Sequence, residues 1–255
     1  MEKVRCLSEY LDLVKYINDE YFDLKNSTTY TWYRGQANSE WSLVPSLYRG
    51  EFCVQFEREL NRDFQLSASP FLKHLPKHEL EWLFVMQHYG APTRLLDWTE
   101  GALVALFFAV ENIQCESDAT VWTLHPWKLN EWTLKINRVP LASDDEMSDY
   151  CLGDPSTVNR RINAMYPAAI RPSRMSSRIL AQRGAFTIHG CKISGIQRLN
   201  MRKKFLQRIY IEGKAKREIR RELLMVGIGR NTIFPELDNL GRELAYRYSE
   251  DCMSL

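Results

Sequence analysis

The sequence lacks the patterns that are typical of membrane, disulfide-bonded and zinc-binding proteins. Its most apolar run, Ala102–Val110, is far shorter than the roughly 20 residues of a membrane helix. The first residues show no apolar secretory core. The six cysteines include no Cys-x-x-Cys pair, which favours reduced thiols in a cytosol. We therefore expect a cytoplasmic protein without a membrane segment.

Motifs of serine hydrolases and metalloenzymes are also missing. The sequence has no Gly-x-Ser-x-Gly elbow. Glu212-x-Lys214 imitates part of a metal-dependent nuclease motif, but that chemistry needs a second carboxylate to share the cation. The nearest acid before Glu212 is Asp154. We therefore predict no metal site.

The charge is distributed unevenly along the chain. Residues 158–230, here called the basic segment, hold 18 Lys and Arg against three Glu and carry +15. The remainder holds 16 bases and 29 acids, which gives −13. Acidic and basic parts that pack against each other would explain this asymmetry. A basic surface or cleft for a nucleotide, a nucleic acid or an acidic protein partner would also explain it.

Helical and extended patterns occur in mixed order. Apolar residues at helical spacing predict helices over 7–22, 52–64, 79–89, 102–110, 214–226 and 235–248. Runs of β-branched and aromatic residues predict strands at 28–33, 93–97, 119–124, 186–189 and 204–212. Because the two types do not alternate regularly, we predict an α+β fold, a single domain with a mixed or antiparallel sheet core flanked by helices.

A first candidate site lies at the end of the first predicted strand, where Tyr33-Arg34-Gly35-Gln36 stands. A strand-terminal arginine, followed by a glycine that allows close backbone approach, suits the binding of a phosphate or carboxylate. The alternative is a buried Arg34 that pairs with a carboxylate such as Asp97. The triplet Tyr-Arg-Gly recurs at Tyr48-Arg49-Gly50.

A second candidate site is the stretch Met86–Thr99, where polar and aromatic residues crowd around a predicted helix end. Its members are Gln87, His88, Thr93, Arg94, Asp97, Trp98 and Thr99. His88 could act as an acid or base, because its proton exchanges near neutral pH, or it could cap the helix. Arg94 and Asp97 could form an internal ion pair.

A third candidate is the loop Gln182-Arg183-Gly184, between a predicted helix and the strand at Phe186. Gln182 could meet a ligand amide there. The loop could also do no more than reverse the chain.

Together these clusters resemble the FRG domain family, named for an aromatic-Arg-Gly motif near its start. The resemblance rests on Trp32–Gln36, Leu43–Arg49, Gln87–Thr99, Ala105–Ala109 and Gln182-x-Gly184-x-Phe186. It implies one FRG-type domain over 1–255, with core motifs at 30–190 and a basic strand and helix extension at 191–255.

Within this resemblance, Tyr33-Arg34-Gly35 looks like the first motif of arginine-type ADP-ribosyltransferases, where the arginine holds the phosphates of NAD. Asp97-Trp98-Thr99 before an apolar helix looks like their second motif, at the nicotinamide pocket. The likeness implies NAD as cofactor, with Arg34 as a catalytic residue that anchors its phosphates and with Asp97, Thr99 and His88 as catalytic residues that shape the nicotinamide-ribose pocket. It implies NAD contacts from Tyr33, Gly35, Gln36, Gln87, Thr93, Arg94, Trp98 and Gln182.

One departure is that such transferases supply a glutamate late in the fold, whereas Gln182-Arg183-Gly184 offers no acid. Either Glu212 or Asp97 serves as the carboxylate, or the pocket binds a nucleotide without catalysis. The first hypothesis is an NAD-using transferase or glycohydrolase, acting as a bacterial toxin or phage-defence effector. The alternatives are a non-catalytic module that binds nucleic acid through the basic segment, and a protein-interaction component of a defence or toxin–antitoxin operon.

Overall fold

A computed structural model describes residues 3–25, 31–50, 54–152, 164–172, 177–235, 239–241, 244–245 and 248. Within those residues, six strands form one sheet in which every neighbouring pair is antiparallel. Helices flank the sheet, so the predicted α+β class and antiparallel core are confirmed.

The order of the strands across the sheet differs from their order along the chain. They are β1 Trp32–Gln36, β2 Leu95–Thr99, β3 Ala119–Leu124, β4 Ala168–Ile170, β5 Gly184–Ile188 and β6 Leu206–Ile211. Their order across the sheet is β4-β5-β2-β1-β3-β6. The earliest strands, β1 and β2, therefore lie at the centre, and strands from the basic segment lie at both edges.

The helices connect and cover these strands. They are α1 Leu7–Tyr16, α2 Glu57–Ala68, α3 Glu79–His88, α4 Ala102–Val110, α5 Pro126–Thr133, α6 Ser177–Ala181, α7 Lys216–Met225 and α8 Arg230–Ile233. A π-helical turn, Ile17–Tyr21, prolongs α1. Glycines with positive φ follow α3 and α7, at Gly90 and Gly227, and favour the ends of those helices.

Helix α4 carries no polar side chain, and most of its residues are buried. It packs so closely on β1 that a β-carbon added at Gly35 would overlap the carbonyl oxygen of Ala105. Tyr33 joins the core on this side of the sheet, and Trp32 joins a second core. Because side chains alternate along a strand, Arg34 points away from the face on which Gly35 meets α4.

Some element boundaries differ from those expected from the sequence. The first strand was expected to stop at Arg34-Gly35, but β1 continues to Gln36 because all five of its residues pair with β3. The second helix begins at Glu57, after a 3-10 turn. Residues 26–30, 51–53 and much of the expected helix 235–248 lie outside the described residues, although 239–241 and 244–245 are helical.

Candidate functional site

A cleft of about 1120 Å³ opens where the two central strands stop pairing. The ladder between β1 and β2 joins only Tyr33 to Thr99, whereas β1 and β3 pair over five residues. The residues that line the cleft are Tyr33, Arg34, Gly35, Gln36, Ala37, Trp41, Ser42, Val44, Tyr48, Arg49, Gln87, Asp97, Trp98, Thr99, Phe108, Glu111, Asn112, Arg178, Gln182, Arg220 and Arg230. This volume slightly exceeds the range of about 300–1,000 Å³ that is typical of ligand pockets.

Arg34 reaches across the separation between the two strands. Its Nη1 donates a 2.7 Å hydrogen bond to the carbonyl oxygen of Asp97 and lies 3.8 Å from the Asp97 Oδ2. Its side chain is 17% exposed, and that of Asp97 is 52% exposed. The Arg34 Nε has no hydrogen-bond partner among the described residues. Arg34 therefore pairs with Asp97, as the alternative interpretation of this motif expected. The pair lies on the wall of a cleft and not in the closed interior.

The environment of Arg34 disfavours its charged form. Burial lowers the pKa of its guanidinium, the Asp97 carboxylate opposes that shift, and the nearby Arg49 adds to it. An arginine remains charged despite such a shift. A bound anion would compensate the guanidinium for its lost hydration and would offset the repulsion from Arg49, so the environment suits an anionic ligand.

A hydrogen-bonded chain holds the Asp97 carboxylate in place. Gln87 Nε2 donates to Asp97 Oδ2 at 2.7 Å, and the Gln87 Oε1 accepts from the Thr93 hydroxyl. The Ser46 hydroxyl in turn accepts from the Thr93 backbone N–H. Thr93 is buried, so its part in this chain is to orient Gln87.

On the other side of Asp97, β2 ends against the loop that precedes β5. The Thr99 hydroxyl donates to the Gln182 carbonyl at 2.6 Å and accepts from the Gly101 N–H. The Gln182 Nε2 is shielded from solvent and has no partner within the described part of the chain. Gln182 is one of the residues that line the cleft, together with Arg34, Asp97 and Thr99.

Three arginines of the basic segment, Arg178, Arg220 and Arg230, also line the cleft. Arg220 donates to the Glu111 carbonyl oxygen at 2.8 Å, and Arg230 forms an ion pair with the Glu111 carboxylate. Arg178 and Arg230 both lie over the ring of Phe234, at 4.8 and 5.1 Å from its centroid. With Arg34 and Arg49, five arginines face two carboxylates, Asp97 and Glu111, among the described lining residues.

Of the remaining residues predicted to bind NAD, Tyr33, Gly35, Gln36 and Trp98 line the cleft, and Gln36 and Trp98 also make hydrogen bonds inside the protein. Gln36 accepts a 2.8 Å hydrogen bond from the Trp122 indole, and the Trp98 indole donates to Thr187. Arg94 was expected to pair with Asp97, and that prediction is wrong. Its side chain is 0% exposed and pairs at 2.8 Å with Glu57, whose pKa burial raises.

His88 and Glu212, which were predicted to be catalytic, are not among the described residues that line the cleft. His88 packs edge-on against Tyr89, with 4.9 Å between ring centroids. Glu212 follows β6 and accepts a 2.7 Å hydrogen bond from Arg5 Nε. Asp97 and Glu111 are therefore the carboxylates that the described cleft offers to a ligand.

Sequence reasoning missed several residues of the cleft. Trp41 and Glu111 were not singled out, and Arg178, Arg220 and Arg230 were seen only as members of the basic segment. The only sequence signal for these three arginines was the excess of positive charge in residues 158–230. No group of three or more His, Cys, Asp or Glu side chains that could hold a metal occurs among the described residues.

The protein is thus of the α+β class, with an antiparallel sheet and an arginine-rich cleft at the two central strands. Residues 29–118 match the family model of the FRG domain, which supports the resemblance drawn from the sequence. The match includes β1, α2, α3, β2 and α4, which supply Arg34, Gln87, Asp97 and Thr99. It ends one residue before β3 begins.

No curated protein and no solved structure matches the chain. In the described residues, none of the helices has the length and apolar character needed to cross a membrane.

Proposed function

We propose that the cleft binds NAD as a substrate and cleaves its N-glycosidic bond, as an NAD glycohydrolase or ADP-ribosyltransferase. The observation that carries this proposal is the position of Arg34. Its guanidinium lies on the cleft wall, has an Nε without a partner among the described residues, and stands beside an exposed carboxylate. An anion-binding group and a carboxylate side by side suit a substrate that carries a pyrophosphate and develops positive charge when it reacts.

Arg34 would hold the pyrophosphate. Charge-assisted hydrogen bonds from a guanidinium are about twice as strong as neutral ones. Because Nη1 already binds the Asp97 carbonyl at 2.7 Å, the side chain is ordered before the ligand arrives, which reduces the entropic cost of binding. Arg49 lines the same part of the cleft and would add a second positive charge.

The end of β2 would receive the nicotinamide ribose. The Gln182 Nε2, which lacks a partner among the described residues, is a donor for a ribose hydroxyl or the nicotinamide carboxamide. The bond from Thr99 to the Gln182 carbonyl fixes the loop that carries this amide.

Asp97 would stabilise the reaction electrostatically. When the bond between C1′ and the nicotinamide nitrogen breaks, its electron pair leaves with neutral nicotinamide and positive charge develops on the ribose. A carboxylate near that position lowers the barrier. Water then adds to C1′ and loses a proton, which yields ADP-ribose, or a nucleophile on a target takes the place of water.

The test compares the two carboxylates that the sequence left open. We expect Asp97→Asn to lower nicotinamide release from NAD by at least about 100-fold, the scale of losing one electrostatic contribution. Glu212→Gln is the matched control, because Glu212 lies outside the described cleft and accepts a bond from Arg5. Turnover is measured by chromatography of NAD, nicotinamide and ADP-ribose with the purified full chain.

A wild-type chain that neither cleaves nor binds NAD would overturn the proposal. Equal activity of Asp97→Asn and wild type would remove the role of Asp97. Arg34→Ala distinguishes binding from chemistry, since we expect it to weaken ADP-ribose affinity, whereas Asp97→Asn leaves that affinity largely unchanged.

An NAD-consuming activity would suit a toxin or phage-defence effector, since loss of NAD stops metabolism in the affected cell. The alternatives of a nucleic-acid module and of a protein-interaction component predict no NAD turnover. Salt-sensitive binding of oligonucleotides favours the first of these, and stable co-purification with a partner favours the second.

A further inference from the structure

A second concave site lies at the end of the sheet where β3 stops and β6 starts. Leu124 at the end of β3 pairs with Leu206 at the start of β6. The helix that follows β3, α5, and the 3-10 turn that precedes β6, Arg202–Lys204, therefore lie next to each other. Between them is a groove of about 570 Å³ that shares no residue with the central cleft.

The lining of this groove combines ammonium groups with aromatic rings. It consists of Tyr21, Lys128, Glu131, Trp132, Lys135, Met201, Lys203, Lys204 and Phe205. Four lysines thus face one carboxylate. Two of them, Lys128 and Lys135, come from α5 and the residues after it, outside the basic segment, so the fold has concentrated charge here from separate parts of the chain.

The aromatic residues form a connected series that continues beyond the groove. Trp132 packs on Tyr166 with 4.7 Å between ring centroids and on Phe205 with 6.1 Å. The Lys192 Nζ lies 5.3 Å from the Tyr166 centroid. Trp132, Tyr166 and Phe205 thus form one aromatic cluster, with the Lys192 ammonium group beside it.

Several contacts keep the groove in shape without a ligand. The Tyr21 hydroxyl donates to the Lys203 carbonyl at 2.6 Å. Lys135 Nζ donates to the Trp132 carbonyl at 2.9 Å, and Lys128 Nζ donates to the Phe22 carbonyl. Tyr21, Lys203 and Lys204 are nevertheless exposed, so their side chains are open to a ligand.

We propose that this groove binds single-stranded nucleic acid, with Lys203 and Lys204 on phosphates and Tyr21 and Trp132 as stacking surfaces for bases. Sequence-independent single-strand sites combine a positive groove with aromatic side chains in this way. An acidic peptide would use the lysines but would gain little from the rings. The proposal does not depend on NAD chemistry in the central cleft.

The test measures anisotropy of labelled 20-nucleotide oligo(dT) and oligo(U) with the full chain, between 50 and 200 mM KCl. Each phosphate contact contributes about 0.7 to the slope of log K against log[salt] for single strands. We expect Lys203→Gln with Lys204→Gln to reduce the magnitude of that slope by about 1.4, and affinity at 0.1 M salt by about 25-fold.

The matched control is Lys214→Gln with Arg217→Gln, which removes two exposed charges of the basic segment outside the groove. We expect it to bind like the wild type. Equal losses in both double variants would overturn the proposal, since the whole segment would then act as a diffuse charge. So would absence of oligonucleotide binding, or binding of an oligo-glutamate peptide in its place.

Trp132→Ala tests the stacking, with an expected loss of about 5- to 150-fold for one base. Because Trp132 also packs on Phe205, its unfolding midpoint is measured in parallel. The lysine variants keep the proposal falsifiable if Trp132→Ala fails to fold.

Discussion

At the scale of single residues, the neighbourhood of Arg34 shows how a charge on the wall of the cleft affects the interior of the protein. His189 lies at the end of β5, is completely buried, and has no hydrogen-bond partner for either ring nitrogen among the described residues. Burial, and to a smaller extent the charge of Arg34, lower the pKa of His189 to about 3. The folded protein therefore keeps this imidazole neutral throughout the physiological range.

This shift predicts a loss of stability in mild acid. The unfolded histidine takes up a proton near pH 6.5, and the folded one does so only near pH 3. Its stabilising contribution is complete above pH 6.5 and falls as the pH decreases from there towards 3, by about 1.4 kcal/mol per pH unit. Urea unfolding between pH 6.5 and 5 should give a correspondingly smaller slope for His189→Gln than for the wild type.

The control for this measurement is His74→Gln, because His74 is exposed. We expect it to keep the wild-type dependence of the unfolding free energy on pH. An unchanged slope in His189→Gln would mean that His189 takes up its proton without unfolding.

At the scale of elements, the two Tyr-Arg-Gly triplets have glycines for different reasons. Gly35 lies where β1 meets α4, and an added β-carbon would overlap Ala105 and lie 2.7 Å from the Ala109 backbone nitrogen. Gly50 has nothing within 4 Å of such a carbon, but its φ is +84°. The first glycine is required by packing and the second by backbone conformation.

These two reasons predict different costs for the same substitution. Gly35→Ala must move a helix backbone, so we expect a loss of about 3 kcal/mol or more, at the upper end of overpacking. Gly50→Ala places a side chain in the left-handed region, which costs about 1 to 2 kcal/mol. Urea denaturation of both variants measures the difference, and equal costs would refute the close packing of β1 on α4.

Elements with a strong local pattern could be predicted, and elements defined by their partners could not. The strand at 119–124 and the helix at 102–110 agree with the structure residue by residue, because a β-branched run and an apolar run identify them. Strand β4 has only three residues, Ala168–Ile170, without alternation. Only its pairing with β5 makes it a strand, and no local signal shows that pairing.

The same contrast applies to the cleft. Arg34, Gln87 and Asp97 stand in dense local motifs, so the sequence pointed to them directly. Arg178, Arg220 and Arg230 come from three helices, α6, α7 and α8, whose positions depend on the whole topology. The pairing of Arg94 was predicted wrongly because sequence proximity favoured Asp97, whereas the fold places Glu57 next to it.

At the scale of the whole molecule, the sheet order joins distant parts of the chain. The stretch that matches the FRG model supplies β1 and β2 but neither of their outer neighbours, β3 and β5. Ion pairs between Glu100 and Arg171 and between Glu111 and Arg230 join the acidic remainder to the basic segment. Part of the charge asymmetry is thus neutralised by internal pairing, while other arginines of the segment face the cleft.

This topology predicts that residues 29–118 alone do not fold. Without β3, β1 loses the strand with which all five of its residues pair, and without β5, β2 loses its other partner. We expect no cooperative urea transition by circular dichroism for this fragment. Residues 1–235, which keep all six strands, serve as the control and should unfold in one transition. A cooperative transition in the short fragment would contradict the prediction.

The back-to-back placement of Arg34 and Gly35 has a consequence for genetic screens. A methyl group at position 35 would project towards α4 and not into the cleft, so its damage falls on the amount of intact protein in the cell. Under the proposed function, an activity screen in cells would score substitutions at positions 34 and 35 alike as losses of activity, although the first leaves the protein abundant and the second reduces its amount. Immunoblotting of the screened cells separates the two phenotypes.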